Sequence, residues 1–123
     1  MSEIPKTILV VDDTPSNIDV VKSILSETYL VQAAVNGKIA LKVAEKKTPD
    51  LILLDIMMPG MDGYEVCKIL KADPKTADIP VIFVTGKDQK SDESKGLGLG
   101  AIGYITKPVD PSTLKMKVAS ALS

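Results

Sequence analysis

The chain has 123 residues, of which 45% are hydrophobic and 25% are charged, and its formal net charge is −1. This length and composition predict one soluble globular domain over residues 1–123, and the balanced charge argues against a nucleic-acid footprint. The chain has no histidine and a single cysteine, Cys67, which excludes histidine catalysis, histidine metal ligation and an internal disulfide. No apolar run approaches the ~20 residues of a membrane span, and the first residues do not resemble a signal peptide. We therefore expect a cytoplasmic protein without membrane contact.

Apolar strand-like runs alternate with helix-period segments five times along the chain. Strands are predicted over residues 7–11, 29–33, 51–54, 79–84 and 101–105. Helices are predicted over about 15–25, 37–47, 62–72, 87–93 and 110–122. Five strand–helix units in sequence predict an α/β fold, a doubly wound parallel sheet with helices on both faces. The first, third and fourth strands are nearly all apolar, which is typical of central strands buried on both faces.

Capping residues and apolar spacing support these helices. Pro15 suits a first helical turn, Asn36 and Gly37 open the second helix, and Asp62 and Asp110 are good N-caps. The predicted apolar faces are Ile18, Val21 and Leu25 in the first helix and Leu114, Val118 and Leu122 in the last. The apolar residues of the second helix are Ile39, Leu41, Val43 and Ala44.

Polar side chains follow four of the predicted strands. They are Asp12, Asp13, Asp55, Thr85 and Lys107. In an open parallel sheet, residues just past the carboxyl ends of the strands gather in one crevice. These groups are therefore expected to form one pocket that holds a divalent cation and an anionic group, and a phosphoryl group fits both demands.

The chemistry of this pocket follows from its three carboxylates. Like charges raise the pKa of at least one of them, and a fold tolerates the cluster when Mg²⁺ bridges it. Asp55 is then the expected nucleophile, because a carboxylate can attack phosphorus and form an acyl phosphate. Lys107 supplies a positive charge and Thr85 a hydroxyl donor, while Gly86 leaves the phosphoryl site open.

Each of these residues also has an ordinary structural interpretation. The two adjacent aspartates could serve a turn and a helix cap, Thr85 could bond the backbone at a strand end, and Lys107 could be a solvated loop lysine. The peptide bond between Lys107 and Pro108 is a candidate for the cis form, which would aim the lysine inward. Cys67 is expected to pack on a helix face.

Four segments together resemble the receiver domain of two-component response regulators. They are Ile8-Leu9-Val10-Val11-Asp12-Asp13, Leu53 through Gly63 (LLDIMMPGMDG), Val84-Thr85-Gly86, and Tyr104-Ile105-Thr106-Lys107-Pro108. The resemblance covers essentially the whole chain, and the stretch from Asp55 to Gly63 is its most specific part. It implies a flavodoxin-like five-stranded sheet of order 2-1-3-4-5 with five helices.

The resemblance also implies a function and a role for each site residue. Asp55 would accept a phosphoryl group from a histidine kinase or a histidine phosphotransfer protein, with Mg²⁺ required and Mn²⁺ able to substitute. Asp13, Asp55 and the backbone carbonyl of Met57 would be direct metal ligands, and Asp12 would act mostly through water. Lys107 would pair with the phosphoryl group.

The resemblance further implies a conformational switch. Thr85 and Tyr104 would form the switch pair, with Tyr104 swinging from exposed toward buried as Thr85 moves in to bond the phosphate. The change would alter the face built from the fourth strand, the predicted fourth helix and the fifth strand. A downstream output domain or protein would read that face, and phosphorylation could also favour a homodimer.

Two departures from the family pattern affect these expectations. Met57 and Lys87 flank the phosphate site, and a bulky apolar residue at 57 predicts slow self-dephosphorylation. The segment 96–103 carries four glycines, which predicts a short or frayed fourth helix because each glycine inside a helix costs roughly 1 kcal/mol. That segment borders the expected output face, where it could act as a switch element or simply be a glycine-rich helix end.

Three other functions agree less well with the sequence. An aspartate-nucleophile phosphohydrolase usually carries Asp-x-Asp at its first strand, a spacing that Asp12, Asp13 and Thr14 do not have. A flavin or nucleotide carrier needs a phosphate-binding loop after that strand, where this chain places negative charge. A receiver-like interaction module that has lost phosphorylation is disfavoured by the intact acceptor set. The sequence therefore predicts a phosphorylation-driven switch whose only chemistry is self-phosphorylation and self-dephosphorylation.

Overall fold

The computed structural model describes residues 5–86 and 97–123, and they form a parallel five-stranded sheet with helices on both faces. The strands are β1 (Thr7–Val11), β2 (Leu30–Ala34), β3 (Leu51–Asp55), β4 (Val81–Thr85) and β5 (Gly103–Thr106). The helices are α1 (Pro15–Leu25), α2 (Gly37–Lys46), α3 (Gly63–Ala72) and α4 (Pro111–Leu122). The strand order is β2-β1-β3-β4-β5, as predicted.

The central strands were predicted more accurately than the edges. The bounds of β1 agree with the prediction, whereas β2 lies one residue later and β5 begins at Gly103 rather than at 101. The prediction that β4 starts at residue 79 was wrong, because Pro80 has no N–H to donate and the strand begins at Val81. The carbonyl of Pro80 still accepts a hydrogen bond from the Ile52 N–H at 3.0 Å.

Two apolar clusters cover the two faces of the sheet. One contains α2, α3 and alternate strand residues such as Leu9 and Phe83, and the other contains α1, α4 and the intervening residues such as Ile8 and Ile82. The strand alternation explains this division, because successive side chains point to opposite faces. The whole of β3 is buried, since it lies in the middle of the sheet and is covered on both sides.

The predicted N-caps and the predicted apolar faces of the first and last helices are present in the structure. Asn36, Asp62 and Asp110 each accept a hydrogen bond from a backbone N–H three residues later, so all three are N-caps. The predicted faces of α1 and α4 are buried, although Leu122 is only partly so. Ile39, one of the apolar residues of α2, is 40% exposed, because the small residues Gly37, Ala40 and Ala44 form the buried side.

Four helices, and not the predicted five, have defined bounds within residues 5–86 and 97–123. The remaining helix was predicted over 87–93, which lies outside the described residues, as does Lys87. The description resumes with helical backbone at Leu97 and Gly98 and a turn at Leu99 and Gly100. Across the described ranges, no helix is both long enough and apolar enough to cross a membrane.

Candidate functional site

The parallel sheet brings the predicted site residues together at the carboxyl ends of β1, β3, β4 and β5. Asp12 and Asp13 follow β1, Asp55 ends β3 beside Val84 of β4, and Lys107 follows β5. One carboxylate oxygen from each of the three aspartates lies within 4.8 Å of the other two. The predicted convergence of Asp12, Asp13 and Asp55 is therefore present in the fold.

Lys107 is the cation of this cluster. Its Nζ lies 2.9 Å from Oδ2 of Asp12 and 3.4 Å from Oδ1 of Asp55, and its side chain is 23% exposed. The bond between Lys107 and Pro108 is cis, as the sequence suggested, and the Lys107 N–H donates to the Thr85 carbonyl at 2.7 Å. The solvated-loop interpretation of Lys107 is thus wrong, since the ammonium group points into the acidic pocket.

Asp12 is held on both of its oxygens. Lys107 bonds Oδ2, while Oδ1 accepts from the Thr14 N–H at 2.9 Å and from the Asn17 side-chain amide at 3.5 Å. Asp12 therefore also serves the turn that leads into α1, which was its structural interpretation. The contact with Asn17 was not predicted, although the spacing of five residues across a helix start could have indicated it. Asp13 makes no such turn and is exposed.

Asp55 is positioned by close packing of α3 against its backbone. The Gly63 N–H donates to the Ile56 carbonyl at 2.9 Å, and a Cβ at Gly63 would lie only 2.3 Å from the Asp55 carbonyl oxygen. Glycine alone allows this approach, so the start of α3 lies directly against the end of β3. Sequence reasoning missed this role, because the requirement comes from a contact between two segments.

Burial and neighbouring charge perturb the acidic pocket. Burial first, and then the charge of Asp12, raise the pKa of Asp55 to about 6, while Lys107 acts in the opposite direction. Burial acts to lower the pKa of Lys107, but its hydrogen bond to Asp12 and the charges of Asp55 and Asp12 outweigh burial and raise it. The pocket is thus a buried carboxylate pair held by one ammonium group.

The other predicted residues surround this cluster. Thr85 ends β4 and is buried, and no atom of the described residues lies within 4 Å of where a Cβ of Gly86 would be. Met57 is 73% exposed two residues past Asp55. Tyr104 is buried, so the structure shows one of the two positions that a switch would need.

The donor set suits a hard divalent cation. Three carboxylates within 4.8 Å offer oxygen ligands only, and the described residues supply neither a histidine nor a thiolate to this cluster. Mg²⁺ takes oxygen ligands in octahedral geometry and retains several waters, which the exposed side at Asp13 would admit. The residues present therefore fit Mg²⁺.

Comparison with known proteins identifies the family. The sequence profile of the response regulator receiver domain matches residues 8–119, so the chain belongs to the response regulator receiver domain family. A response regulator from Chloroflexus aurantiacus has a similar structure, with a TM-score of 0.91 and 33% identity, covering 96% of this chain and 98% of that one. Receiver domains generally bind Mg²⁺ in an acidic pocket, and the fold and pocket described above agree with this membership.

Two curated relatives are longer than this chain. A probable cyclic di-GMP phosphodiesterase from Vibrio cholerae is 47% identical over 116 residues, which are 94% of this chain and 26% of that protein. The response regulator PleD from Caulobacter vibrioides is 46% identical over 114 residues, 92% of this chain and 25% of that protein. The chain thus spans about a quarter of the length of these relatives.

Proposed function

We propose that this domain, residues 1–123, is a phospho-accepting signalling switch in which Asp55 takes the phosphoryl group. The observation that carries the proposal is the placement of Asp55, buried at the end of the central strand with Lys107 3.4 Å away and two further carboxylates beside it. A carboxylate buried beside a cation and a candidate metal site is arranged for phosphoryl transfer, which depends on positioning and charge neutralisation.

The reaction is a simple displacement at phosphorus. A carboxylate oxygen of Asp55 attacks the phosphorus of a phosphohistidine on a histidine kinase or a histidine phosphotransfer protein. The new C–O–P bond forms as the P–N bond breaks, and the departing imidazole nitrogen takes up a proton. Water later attacks the same phosphorus, which releases inorganic phosphate and restores the carboxylate.

The metal ligands in this proposal are Asp13, Asp55 and the backbone carbonyl of Met57, with Asp12 acting through water. Bound Mg²⁺, or Mn²⁺ in its place, would neutralise charge on the transferred phosphoryl oxygens. Lys107 lies 3.4 Å from Asp55 and already shares its charge with Asp12, so it can turn toward a phosphoryl oxygen without entering from solvent.

The conformational response is proposed to run through Thr85 and Tyr104. Both side chains are buried, and their strands are paired directly, with Thr85 opposite Thr106 and Phe83 opposite Tyr104. A phosphoryl group that accepts a hydrogen bond from Thr85 favours one arrangement of β4 and β5 and shifts the population toward it. Gly86, Met57 and Lys87 are proposed as neighbours of the phosphate.

The surface beside the acceptor could receive the phosphodonor. A cavity of about 180 Å³ lies next to the ion pair of Asp12 and Lys107, and Val20, Val109 and Pro108 are among its mostly apolar lining residues. Val20 is 50% exposed. An apolar contact here would hold a donor close to Asp55 while the charged pocket receives the phosphoryl group.

We further propose a cytoplasmic setting, an output domain or protein as the downstream partner, and no direct binding of nucleic acid or membranes by this domain. A homodimer could form on phosphorylation. The phosphodiesterase activity in the name of the Vibrio relative is not proposed for this chain, because the match covers only a quarter of that protein. The residues in the matched stretch support self-phosphorylation and self-dephosphorylation.

The second candidate function is a receiver-like interaction module that is not phosphorylated. The observation in its favour is the salt bridge between Lys107 and Asp12 at 2.9 Å. This ion pair alone can stabilise the pocket, without a phosphoryl group. A phosphohydrolase is less well supported, because Asp12 accepts a hydrogen bond from the Thr14 N–H and so stabilises the turn before α1.

Phosphorus NMR with phosphoramidate separates these functions. Phosphoramidate is a small donor with the same P–N bond as phosphohistidine. With Mg²⁺, the proposal predicts one protein-bound acyl phosphate signal, which is lost in Asp55→Asn and kept in Asp62→Asn, a matched change at an exposed helix cap. An interaction module gives no signal, whereas a phosphohydrolase gives rapid phosphate release from added phosphate esters.

A further inference from the structure

The methionine side chains of this domain differ sharply in their exposure to solvent. The chain has five methionines, of which Met1 lies outside the described residues. Met57 is 73% exposed and Met116 is 65% exposed, whereas Met58 is only 7% exposed and Met61 is partly buried against the cluster of α2 and α3. Because an oxidant from solvent must reach the thioether sulfur, Met57 and Met116 are the described methionines that are most open to oxidation.

Met57 differs from Met116 in its position beside the proposed acceptor. The backbone N–H of Met57 donates a hydrogen bond to the Asp55 carboxylate. The Met57 side chain therefore leaves the backbone two bonds from an atom that contacts the acceptor, and it extends from there into solvent. Met116 offers a similarly exposed thioether in the middle of α4, on a different element of the fold. Oxidation at these two positions should therefore have different consequences for Asp55.

Oxidation of a thioether by hydrogen peroxide changes its polarity. A lone pair of the sulfur attacks one peroxide oxygen, the O–O bond breaks as the S–O bond forms, and the other oxygen leaves as water. The sulfur is oxidised and the peroxide is reduced. The product, methionine sulfoxide, is polar, its oxygen accepts hydrogen bonds, and reductases convert it back to methionine. An apolar side chain thus becomes one that holds water, and the change is reversible.

We propose that Met57 is a peroxide-sensitive modification site, and that its conversion to the sulfoxide shortens the lifetime of the phosphoryl group on Asp55. This inference rests on the proposed phosphorylation of Asp55. The thioether keeps water away from the solvent side of the acceptor, whereas the sulfoxide oxygen holds water there by hydrogen bonding. Peroxide therefore acts as a second input to the domain, one that ends the phosphorylated state early without touching the carboxylates or Lys107.

The expected effect on the phosphate half-life is moderate. A covering side chain controls the access of water and takes no part in making or breaking bonds. The half-life should therefore fall roughly two- to tenfold, well below the ~10²-fold change that follows the removal of a general acid or base.

Two measurements on the whole chain test the proposal. Tandem mass spectrometry of peptides after mild treatment with hydrogen peroxide gives the rate of oxidation at each methionine, and Met57 should be oxidised much faster than its buried neighbour Met58. The treated protein is then phosphorylated with acetyl phosphate and Mg²⁺, and the release of inorganic phosphate after removal of the donor gives the half-life. The half-life should shorten after oxidation and return to its original value after treatment with methionine sulfoxide reductases.

Two matched variants locate the effect, each compared before and after peroxide. Met116→Leu keeps the thioether at position 57 and should respond like the native chain, whereas Met57→Leu keeps only the distant exposed thioether and should not respond. Met57→Gln places a polar amide of similar length there and should shorten the half-life without peroxide. Cys67 is common to all these proteins, and it is fully buried with the pKa of its thiol raised by burial, which disfavours its oxidation.

The outcomes separate this inference from the proposed function. A half-life that shortens equally in oxidised Met57→Leu, or that is unchanged in the oxidised native chain, would overturn the inference alone. Oxidation of Met57 that is no faster than that of Met58 would also overturn it. If the untreated native chain gains no mass from acetyl phosphate, the proposed phosphorylation of Asp55 fails and the inference fails with it.

Discussion

The ammonium group of Lys107 is closer to Asp12, at 2.9 Å, than to the proposed acceptor Asp55, at 3.4 Å. The two aspartates belong to different strands, and Lys107 reaches both from a third, 95 positions along the chain from Asp12. One cation therefore connects the ends of β1, β3 and β5. Its ion pair with Asp12 is expected to contribute to the free energy of unfolding, because only 7% of the Asp12 side chain is exposed.

Replacing Lys107 by methionine should lower the free energy of unfolding at neutral pH by about 1–2 kcal/mol, because it leaves Asp12 buried without its cation. Urea unfolding in EDTA measures the change. Lys75→Met is the control, since Lys75 pairs with Glu45 at 3.7 Å on the exposed surface and should contribute less than about 0.5 kcal/mol. Equal effects of the two replacements would contradict this account of Lys107.

The stability of the metal-free protein should depend on pH through Asp55. Its pKa is raised from 3.8 to about 6 in the folded chain. A group with a raised pKa stabilises the fold fully below its unfolded pKa and loses that contribution as the pH rises through the folded value. The stability advantage of Asp55→Asn over the native protein should therefore grow by roughly 2–3 kcal/mol between pH 4 and pH 7.

Urea unfolding of the native protein and Asp55→Asn in EDTA across this pH range measures the contribution of Asp55 alone, because the two proteins have all other carboxylates in common. Saturating Mg²⁺ should reduce the advantage of Asp55→Asn, since the cation offsets the repulsion between carboxylates. A stability difference that is constant with pH would show that the fold does not raise the pKa of Asp55, and one that shrinks toward pH 7 would show that the fold lowers it; either result would contradict this account.

The convergence of the site could be predicted from simple rules, whereas the strand order was implied by the resemblance to receiver domains. Continuous apolar runs mark buried central strands, and polar residues at their carboxyl ends meet at one edge of the sheet. Edge strands are less strongly marked, which is why the bounds of β2 and β5 were shifted. The start of β4 was misplaced because Pro80 looks like part of an apolar run but cannot donate a hydrogen bond.

Contacts between distant segments could not be predicted in this way. The preference of Lys107 for Asp12 depends on distances that differ by half an ångström, and the packing of Gly63 on Asp55 depends on the angle at which α3 begins. Phe83 was predicted as a core residue, whereas its place between two tyrosine rings follows from strand pairing and from the position of α3. Such relationships become visible only when the whole fold is known.

Gly63 should be far less replaceable than Gly86. An alanine Cβ at 63 would lie 2.3 Å from the Asp55 carbonyl oxygen, so the start of α3 must move, at a cost of about 1–3 kcal/mol or more. Within residues 5–86 and 97–123, a Cβ at Gly86 would meet no atom within 4 Å, so Gly86→Ala should change stability by less than about 0.5 kcal/mol. Thermal or urea unfolding of both variants tests this, and a well-tolerated alanine at 63 would contradict the described packing.

Met57 is expected to slow the loss of the phosphoryl group. Its side chain is apolar, lies two residues past Asp55 and is 73% exposed, so it can cover the phosphorus from the solvent side. Met57→Asn should shorten the phosphate half-life because a polar side chain admits water. Release of inorganic phosphate after removal of the donor measures this, with Met116→Asn, on the exposed face of α4, as a control. A longer half-life in Met57→Asn would refute the shielding role.

The central claim is that Asp55 accepts a phosphoryl group in a Mg²⁺-dependent reaction, and intact-mass spectrometry after incubation with acetyl phosphate tests it most directly. The native chain should gain one phosphoryl group with Mg²⁺ and none in EDTA. Asp55→Asn should gain none, whereas Asp62→Asn, altered only at the exposed cap of α3, should react like the native chain. An adduct that persists in Asp55→Asn, or a native chain that stays unmodified while it binds Mg²⁺, would contradict the account.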